Sequence, residues 1–463
     1  MEQTRIAMVM AAIRQRIAGR SLTTGARLPS VRGLAKAMAV SVSTVVEAYA
    51  RLSAEGTIQS RPGSGFYVAG QTAPLALSAV GPRLDRAIDP FWVSRQSLEA
   101  DAGTLRPGCG WLPPSWLPKD ATRRALRTLS RADGLALTEY GTPLGLPALR
   151  QLISRRLAER GVAACPEQIM LTDSGTQAID LLCRLLLEPG DTVLIDDPCY
   201  FNFQALLRAH RVHLVGVPYT PAGPDIEAFA AALAEHRPRL YITNSGIHNP
   251  TGATLSPAVA HRVLTLADRH GLTIIEDDIF ADFELSPAPR LAAFDGLERV
   301  IQIGSFSKTI SAAVRCGYIA VKREWIDGLT DLKIATTFGG SPLAAELTLS
   351  VLSDSSYRRH LDSLRRRLAQ ARHEVGLRLA GLGIAAWITP QAGMFLWCSL
   401  PEGLDATDLA RAALAQHVVL APGNAFSITQ SARTALRFNV SQMSDERIFA
   451  ALATGLAAQS GPS

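Results

Sequence analysis

From about residue 89 to 455 the chain alternates short, continuously apolar runs with longer stretches of helical spacing, and few folds accept that pattern. The runs fall at 168–172, 192–195, 240–243, 273–276, 300–304 and 316–320. A strand that is apolar on both sides is covered on both faces, and strands separated by helices pair in parallel through crossovers. The expected body is therefore α/β with a mostly parallel sheet. In such sheets ligands gather beyond the carboxyl ends of the strands. The residues just after each run are where chemistry is to be sought.

The first seventy residues are built differently. They hold nine Lys/Arg and three acids, a net charge of +6, which is also the net charge of all 463 residues. The rest of the chain is neutral, with 38 charges of each sign. A basic head on a neutral body suggests that the head alone meets a polyanion. At ~150 residues per domain, a chain this long holds roughly three. A hydrophobic fraction of 47% with 19% charged residues argues against a disordered chain. No apolar run approaches the ~18–20 residues that cross a bilayer. The start lacks the apolar core of a secretory leader, so a cytoplasmic protein without membrane partners is expected. The six cysteines are scattered, without a Cys-x-x-Cys pair. They fit reduced thiols, and neither a disulfide frame nor a metal site is expected.

In the head, Ile6, Met10, Ile13 and Ile17 lie at helical spacing over 6–18. Pro29 is expected to open a second helix, with Ser30 beside it and Val31, Leu34, Ala35 and Met38 turned inward. Ser41 suits the N-cap of a third helix reaching about Ala54, with Val45, Val46, Tyr49 and Leu52 on its buried side. Residues 57–60, the turn Arg61-Pro62-Gly63-Ser64-Gly65 and residues 66–68 read as strand, turn and strand. This is a helix-turn-helix with a hairpin wing, which offers the start of its third helix to a DNA major groove.

The series Leu28-Pro29-Ser30-Val31-Arg32, Val40-Ser41, Thr44-Val45, Ala48-Tyr49, Glu55-Gly56 and Arg61 to Gly65 resembles the GntR family of bacterial regulators, over the whole of 1–68. The resemblance implies DNA contacts from Ser30, Arg32, Ser41, Ser43 and Thr44, and from the wing at Arg61, Gly63 and Gly65. That family usually carries arginine directly after the serine at 41. Val42 stands there, so one phosphate or base contact is expected to be missing. Residues 69–88, rich in Ala, Gly, Pro and Ser, read as a tether to the body at 89–455.

Five features of the body sit at the ends of its apolar runs. Ser174-Gly175-Thr176 enters a helix whose first N–H groups can hold a phosphate, though many capped helices look the same. Tyr200 can stack on a flat ring or simply fill core. Asn249, in Asn249-Pro250-Thr251-Gly252, can bond a phenolate oxygen or serve only its turn. Asp277 follows a strand buried on both faces, where a carboxylate needs a cation such as a pyridinium. Lys308 stands among Ser305, Ser307 and Arg315, and a lysine beside another cation offers a free amine for imine chemistry. Together they outline a pocket for pyridoxal 5'-phosphate.

Across its length the body resembles fold-type I, class I/II aminotransferases, with a large part at about 130–340 and a smaller α+β part at about 89–129 and 341–455. The resemblance implies that Lys308 condenses with the cofactor aldehyde, Asp277 pairs with the ring nitrogen, Asn249 bonds the ring oxygen and Tyr200 stacks. It gives the phosphate to Gly175, Thr176, Ser305, Ser307 and Arg315. Tyr140 is assigned to the phosphate of a neighbouring subunit, and Arg437 to a substrate carboxylate. Such enzymes usually place tyrosine three residues after the aspartate; Phe280 stands there, which points away from fast transamination and leaves Tyr318 as a candidate replacement. A GntR-like head on such a body resembles the MocR regulators. That resemblance implies a transcription factor that binds a DNA operator, a small amino-compound effector and a second copy of itself head to tail. The alternative is a competent aminotransferase whose head provides autoregulation.

Overall fold

The computed structural model describes residues 5–18, 22, 25–61, 64–69, 90–101, 103–131 and 138–460. Its internal contacts divide the chain into two units, 1–86 and 87–463, which are described separately.

In the first unit, α1 (Arg5–Ala18), α2 (Val31–Ala37) and α3 (Val42–Ala54) are followed by the antiparallel pair β1 (Ile58–Arg61) and β2 (Gly65–Val68). Val9, Ile13, Val45, Tyr49 and Leu52 form the buried core where the three helices meet. Tyr49 is the pin. Its hydroxyl donates to the Pro29 carbonyl (2.9 Å), and its ring meets Phe66 edge-on at 4.9 Å, so one side chain ties α3 to the entry of α2 and to the wing. Burial pushes its hydroxyl up to about 12.

Two expectations are corrected here. Val46 is 51% exposed and belongs to the outer face of α3, because Val45, Ala48, Tyr49 and Leu52 already fill the inward arc. Pro29 does not begin α2. Ser30 caps it, accepting from the Gly33 N–H at 3.1 Å, and Pro29 lies one residue outside. The wing also gains an edge that periodicity did not show: residues 25–28 bond to β2 through Gly25 N–Val68 O, Val68 N–Ala26 O and Leu28 N–Phe66 O.

The second unit is built on β3 (Ile169–Thr172), β4 (Thr192–Asp197), β5 (His213–Thr220), β6 (Gly223–Pro224), β7 (Leu240–Thr243), β8 (Thr273–Asp277), β9 (Val300–Ser305) and β10 (Gly317–Ala320). They form one sheet in the order β3-β10-β9-β8-β7-β4-β5-β6. The block β9-β8-β7-β4-β5 is parallel, whereas β10 runs antiparallel to both of its neighbours. The strand β5 had no expectation behind it. Its burial is uneven, with His213 and Pro218 exposed and only Val217 and Tyr219 buried, so no unbroken apolar run marks it. The strands β3, β7, β9 and β10 are buried throughout, which is why they read as unbroken apolar runs.

A smaller antiparallel sheet joins β11 (Ala385–Ala386), β12 (Phe395–Ser399), β13 (Ala421–Pro422) and β14 (Ala435–Asn439) in the order β11-β12-β14-β13. Its core includes Phe395, Leu436, Phe438 and Leu452. The helices Lys119–Leu129 and Pro342–Ser353 pack Ala121, Ala125, Ala345 and Val351 into the core that also holds Leu171, Leu194 and Tyr241 of the main sheet. Among the described residues no helix is long and apolar enough to cross a membrane.

Candidate functional site

Parallel strands place the first residues after β3, β4, β7, β8 and β9 on one rim, and there a cavity of about 250 Å³ opens. Gly175, Thr176, Tyr200, Asn249, Asp277, Ser305, Ser307, Lys308, Arg315 and Arg437 all line it. Arg315 precedes its strand instead of following one. Because β10 runs antiparallel, its leading end lies on the same rim. Arg315 takes a left-handed backbone (φ 54°), a conformation that strains a residue carrying a Cβ.

The three consecutive acids at 276–278 divide their work. Glu276 turns away from the cavity and accepts from the Leu291 (2.8 Å) and Ala292 (2.9 Å) N–H groups and from the Ser245 hydroxyl. Asp278 takes Arg290 in a two-pronged pair, with both contacts at 3.0 Å, and Arg290 also meets Glu284 at 2.7 Å. Only Asp277 faces the cavity, and its carboxylate accepts the Ile279 N–H at 3.0 Å. Burial raises its pKa to about 6. A carboxylate so placed gains most from a cation.

Lys308 donates its Nζ to the Gly110 carbonyl at 2.7 Å. Burial first, then Arg437, pushes its amine down to about 8. Arg437, the central residue of β14, is 1% exposed. It donates NH1 to Asn249 Oδ1 (2.9 Å) and NH2 to the Gly108 carbonyl (2.7 Å), and its guanidinium lies 4.3 Å from the Phe395 ring. No carboxylate bonds it, and its Nε has no partner among the described residues. Ser305 and Ser307 share a hydroxyl contact at 2.8 Å, and Ser174 caps the helix Gly175–Leu186.

Three cations (Lys308, Arg315, Arg437) thus meet one acid (Asp277) in this cavity. The balance suits an anionic ligand, and the hydroxyls and helix N-terminus beside Arg315 suit a phosphate. The residues therefore fit pyridoxal phosphate. Tyr140 is not in this cavity; it is 81% exposed and packs on Phe338 at 5.2 Å. Tyr318 cannot replace the missing tyrosine, because its ring is buried against Gly304 and Phe306 on the far side of β10. Phe280 closes its part of the wall with Phe283 and Phe395.

Sequence reasoning missed the segment 105–111, which brings Gly108, Cys109, Gly110 and Trp111 to the pocket. Gly108 lies so flat on the chain leading into β13 that a Cβ there would come within 2.6 Å of the Ala421 nitrogen. The Gly-Cys-Gly-Trp run was the available signal.

One consequence is measurable. A neutral amine is needed for condensation, so cofactor capture by stripped protein should accelerate about tenfold per pH unit below neutrality and level off near pH 8. Stopped-flow absorbance reads this. A rise continuing past pH 10, as for an ordinary lysine, would show that burial does not tune Lys308.

On the head, Ser41 caps α3 by accepting from the Thr44 N–H (3.1 Å), and its hydroxyl also meets those of Ser43 (2.8 Å) and Thr44 (2.7 Å). Ser30, Arg32, Ser41 and Ser43 are exposed and Thr44 is half-buried. The backbone of Arg61 pairs with Gly65 across the wing, while Gly63 and the Arg61 side chain lie outside the described residues. Val42 presents an exposed apolar side chain at the start of α3.

Residues 113–454 match the family Aminotransferase class I and II, and residues 5–68 match Bacterial regulatory proteins, gntR family. An uncharacterized HTH-type transcriptional regulator of Escherichia coli K12, YdcR, is 31% identical over 94% of both chains. The HTH-type transcriptional regulator NorG of Staphylococcus aureus is 28% identical, covering 92% of this chain and 98% of its own. Among solved structures, the α-aminoadipate aminotransferase LysN of Thermus thermophilus, complexed with N-(5'-phosphopyridoxyl)-L-leucine, is similar with a TM-score of 0.70 and 28% identity, over 78% of this chain and 94% of its own. The kynurenine aminotransferase of Pyrococcus horikoshii shares the fold, with a TM-score of 0.73 at 23% identity over 82% and 96% of the two chains. The chain therefore belongs to the aminotransferase class I and II family in its MocR-type form, transcription regulators that join a GntR-family DNA-binding head to a pyridoxal-phosphate-dependent, aminotransferase-like body.

Proposed function

We propose that the body senses an amino compound through pyridoxal phosphate on Lys308, and that this alters how the head binds its operator. The observation that carries the reading is the convergence of Lys308, Asp277 and Arg437, which no carboxylate pairs among the described residues, in one cavity of a chain that also carries a GntR-type head. Once held, pyridoxal phosphate supplies an aldehyde that condenses reversibly with amines, which makes an amino compound detectable as a covalent change. Asp277 keeps the ring nitrogen protonated. Asn249, whose Oδ1 is taken by Arg437, has its amide N–H groups left for the ring oxygen. Tyr200 stacks on the ring, and Gly175, Thr176, Ser305, Ser307 and Arg315 hold the phosphate. Arg437 receives the carboxylate of the amino compound.

The exposed Tyr140 serves the pocket of a second copy, which makes a head-to-tail homodimer the working unit. Two heads then meet two half-sites of a cytoplasmic operator, through Ser30, Arg32, Ser41, Ser43 and Thr44 and the wing at Arg61, Gly63 and Gly65. The domains are 1–68 and 89–455, joined by 69–88. Phe280 in place of a ring-bonding tyrosine favours sensing over the alternative, a fast aminotransferase with an autoregulatory head. An amino acid and a 2-oxo acid mixed with the protein would turn over repeatedly if that alternative held.

The test is footprinting of the full-length protein on its own promoter region, with pyridoxal phosphate and a panel of amines. A coupling of about 1–3 kcal/mol shifts half-protection by roughly 5- to 150-fold for at least one amine. Unchanged protection across the panel would defeat the sensing role.

A further inference from the structure

Beside the cofactor pocket lies a second, larger cavity of about 750 Å³. The two are neighbours through shared walls, since Trp111, Ser307 and Ala312 line both. The second cavity is charged on one side only. Arg106, Lys119 and Arg123 line it, and among the described residues no carboxylate does. Arg123 has Asp120 at 3.8 Å, with both side chains largely exposed, so that pair neutralises little. Arg106 is held by the Ala100 (3.0 Å) and Asp101 (3.4 Å) carbonyls, which offer no counter-charge. Its Nε has no partner among the described residues.

One stretch of backbone connects the two cavities, and it is fixed at almost every residue. Leu105 exchanges bonds with His417 (2.9 Å) and Val419 (2.8 Å), Gly108 donates to Val419 (3.0 Å), and Pro107 accepts from Asn439 (2.7 Å). Gly108 and Gly110 then accept from Arg437 and Lys308. Four Cα-to-Cα steps lead from Arg106 to Gly110, so their Cα atoms lie at most ~14 Å apart, at ~3.6 Å per step. A rigid strip thus holds one arginine at a fixed short reach from the amine-binding end. The rest of the lining mixes apolar side chains such as Leu112 and Ile310 with the uncharged polar groups of Thr104, Thr122, Ser311 and Gln442.

We infer that the second cavity is the distal subsite for the effector, and that it takes an oxyanion at the end of the amino compound remote from the amine. This rests on the pocket reading above and deepens it. The effector class becomes an amino acid with an acidic side chain, whose near carboxylate meets Arg437 and whose far anion meets Arg106, Lys119 and Arg123.

The test begins without an amine. Calorimetric titration of the full-length protein compares the unbranched diacids from glutarate to suberate with monoacids of equal length. The best diacid should bind at least about tenfold more tightly than its monoacid, the value of one charge-assisted contact. Arg106→Gln should remove that preference and leave monoacid binding unchanged. Lys119→Gln with Arg123→Gln should reduce it without touching the backbone strip, so a misfolded Arg106 variant cannot decide the outcome. No preference in the unaltered protein, or a preference that survives all three substitutions, overturns the proposal. The cofactor-loaded protein is then titrated by visible absorbance with 2-aminoadipate, 2-amino-5-phosphonopentanoate and norleucine. Either acidic compound should act at about tenfold lower concentration than norleucine, and which one acts better identifies the oxyanion; equal response to all three overturns the proposal. A protein that stays colourless with every amine yet keeps its diacid preference would instead sink the cofactor reading and leave the anion site standing.

Discussion

Lys308→Ala should leave the full-length protein colourless, and borohydride should trap no vitamin B6 adduct on the chain. The neighbouring groups explain why no other residue replaces it. Lys308 is the lysine that lines the cofactor cavity, where the Gly110 carbonyl orients it and burial keeps a useful fraction of it neutral. Lys333 is fully buried, but its Nζ is tied to the Pro143 (2.6 Å) and Leu171 (2.7 Å) carbonyls outside this pocket. Lys308→Arg is the companion variant. It keeps a cation near Gly110 but cannot condense with an aldehyde, so it separates lost chemistry from lost packing. Both variants should still bind operator DNA and neither should respond to amines. A lysine variant that kept its amine response would remove the covalent link from the proposed sensing.

Arg290→Met should cost about 3–5 kcal/mol of stability, because it strips the cation from a buried triad. Arg290 is 1% exposed, and Asp278 and Glu284 are 6% exposed each. Removing the guanidinium leaves two carboxylates sharing a site that water does not reach. Burial already raises the Glu284 pKa, and without the guanidinium that opposes the shift it rises further. The loss is therefore greatest above that raised value and shrinks as pH falls and Glu284 takes up a proton. Urea unfolding at pH 8 and at pH 5.5 reads both effects. A loss below about 1 kcal/mol, or an equal loss at the two pH values, would show that the triad is not anchored as described. The same variant should hold cofactor less well, since Asp278 adjoins Asp277 at the end of β8.

Much of the body was legible because the relevant signals are local. An unbroken apolar run marks a strand buried on both faces, and the residue after it sits at the rim where parallel strands end. That reasoning located Lys308, Asp277, Asn249, Tyr200 and Ser174 to Thr176 without any contact being known. Caps are equally local, and Ser41 and Ser174 stand where their hydroxyls can reach an N–H three residues on. Turning Val46 outward needed the third dimension. Helical spacing allows several arcs to be the buried one, and packing against α1, α2 and the wing chose among them.

The long-range decisions belong to topology. Periodicity does not reveal that Arg437 reaches Asn249, 188 residues away, or that Asn439 holds the Cys109 (3.1 Å) and Trp111 (2.8 Å) carbonyls from over 300 residues away. Nor does it sort Glu276, Asp277 and Asp278 into a helix cap, a pocket carboxylate and an ion pair, since adjacent side chains on a strand differ only by face. The amino-acid order by itself determined the fully buried strands of the large sheet and the elements of the head, where the chain changes from basic head to neutral body, and which residues stand at those strand ends. The tertiary structure alone decided which of those residues share a cavity and which charges remain unpaired inside it. Charge pairing depends on distances between residues far apart in the chain, and those distances exist only after the sheet has set its strand order.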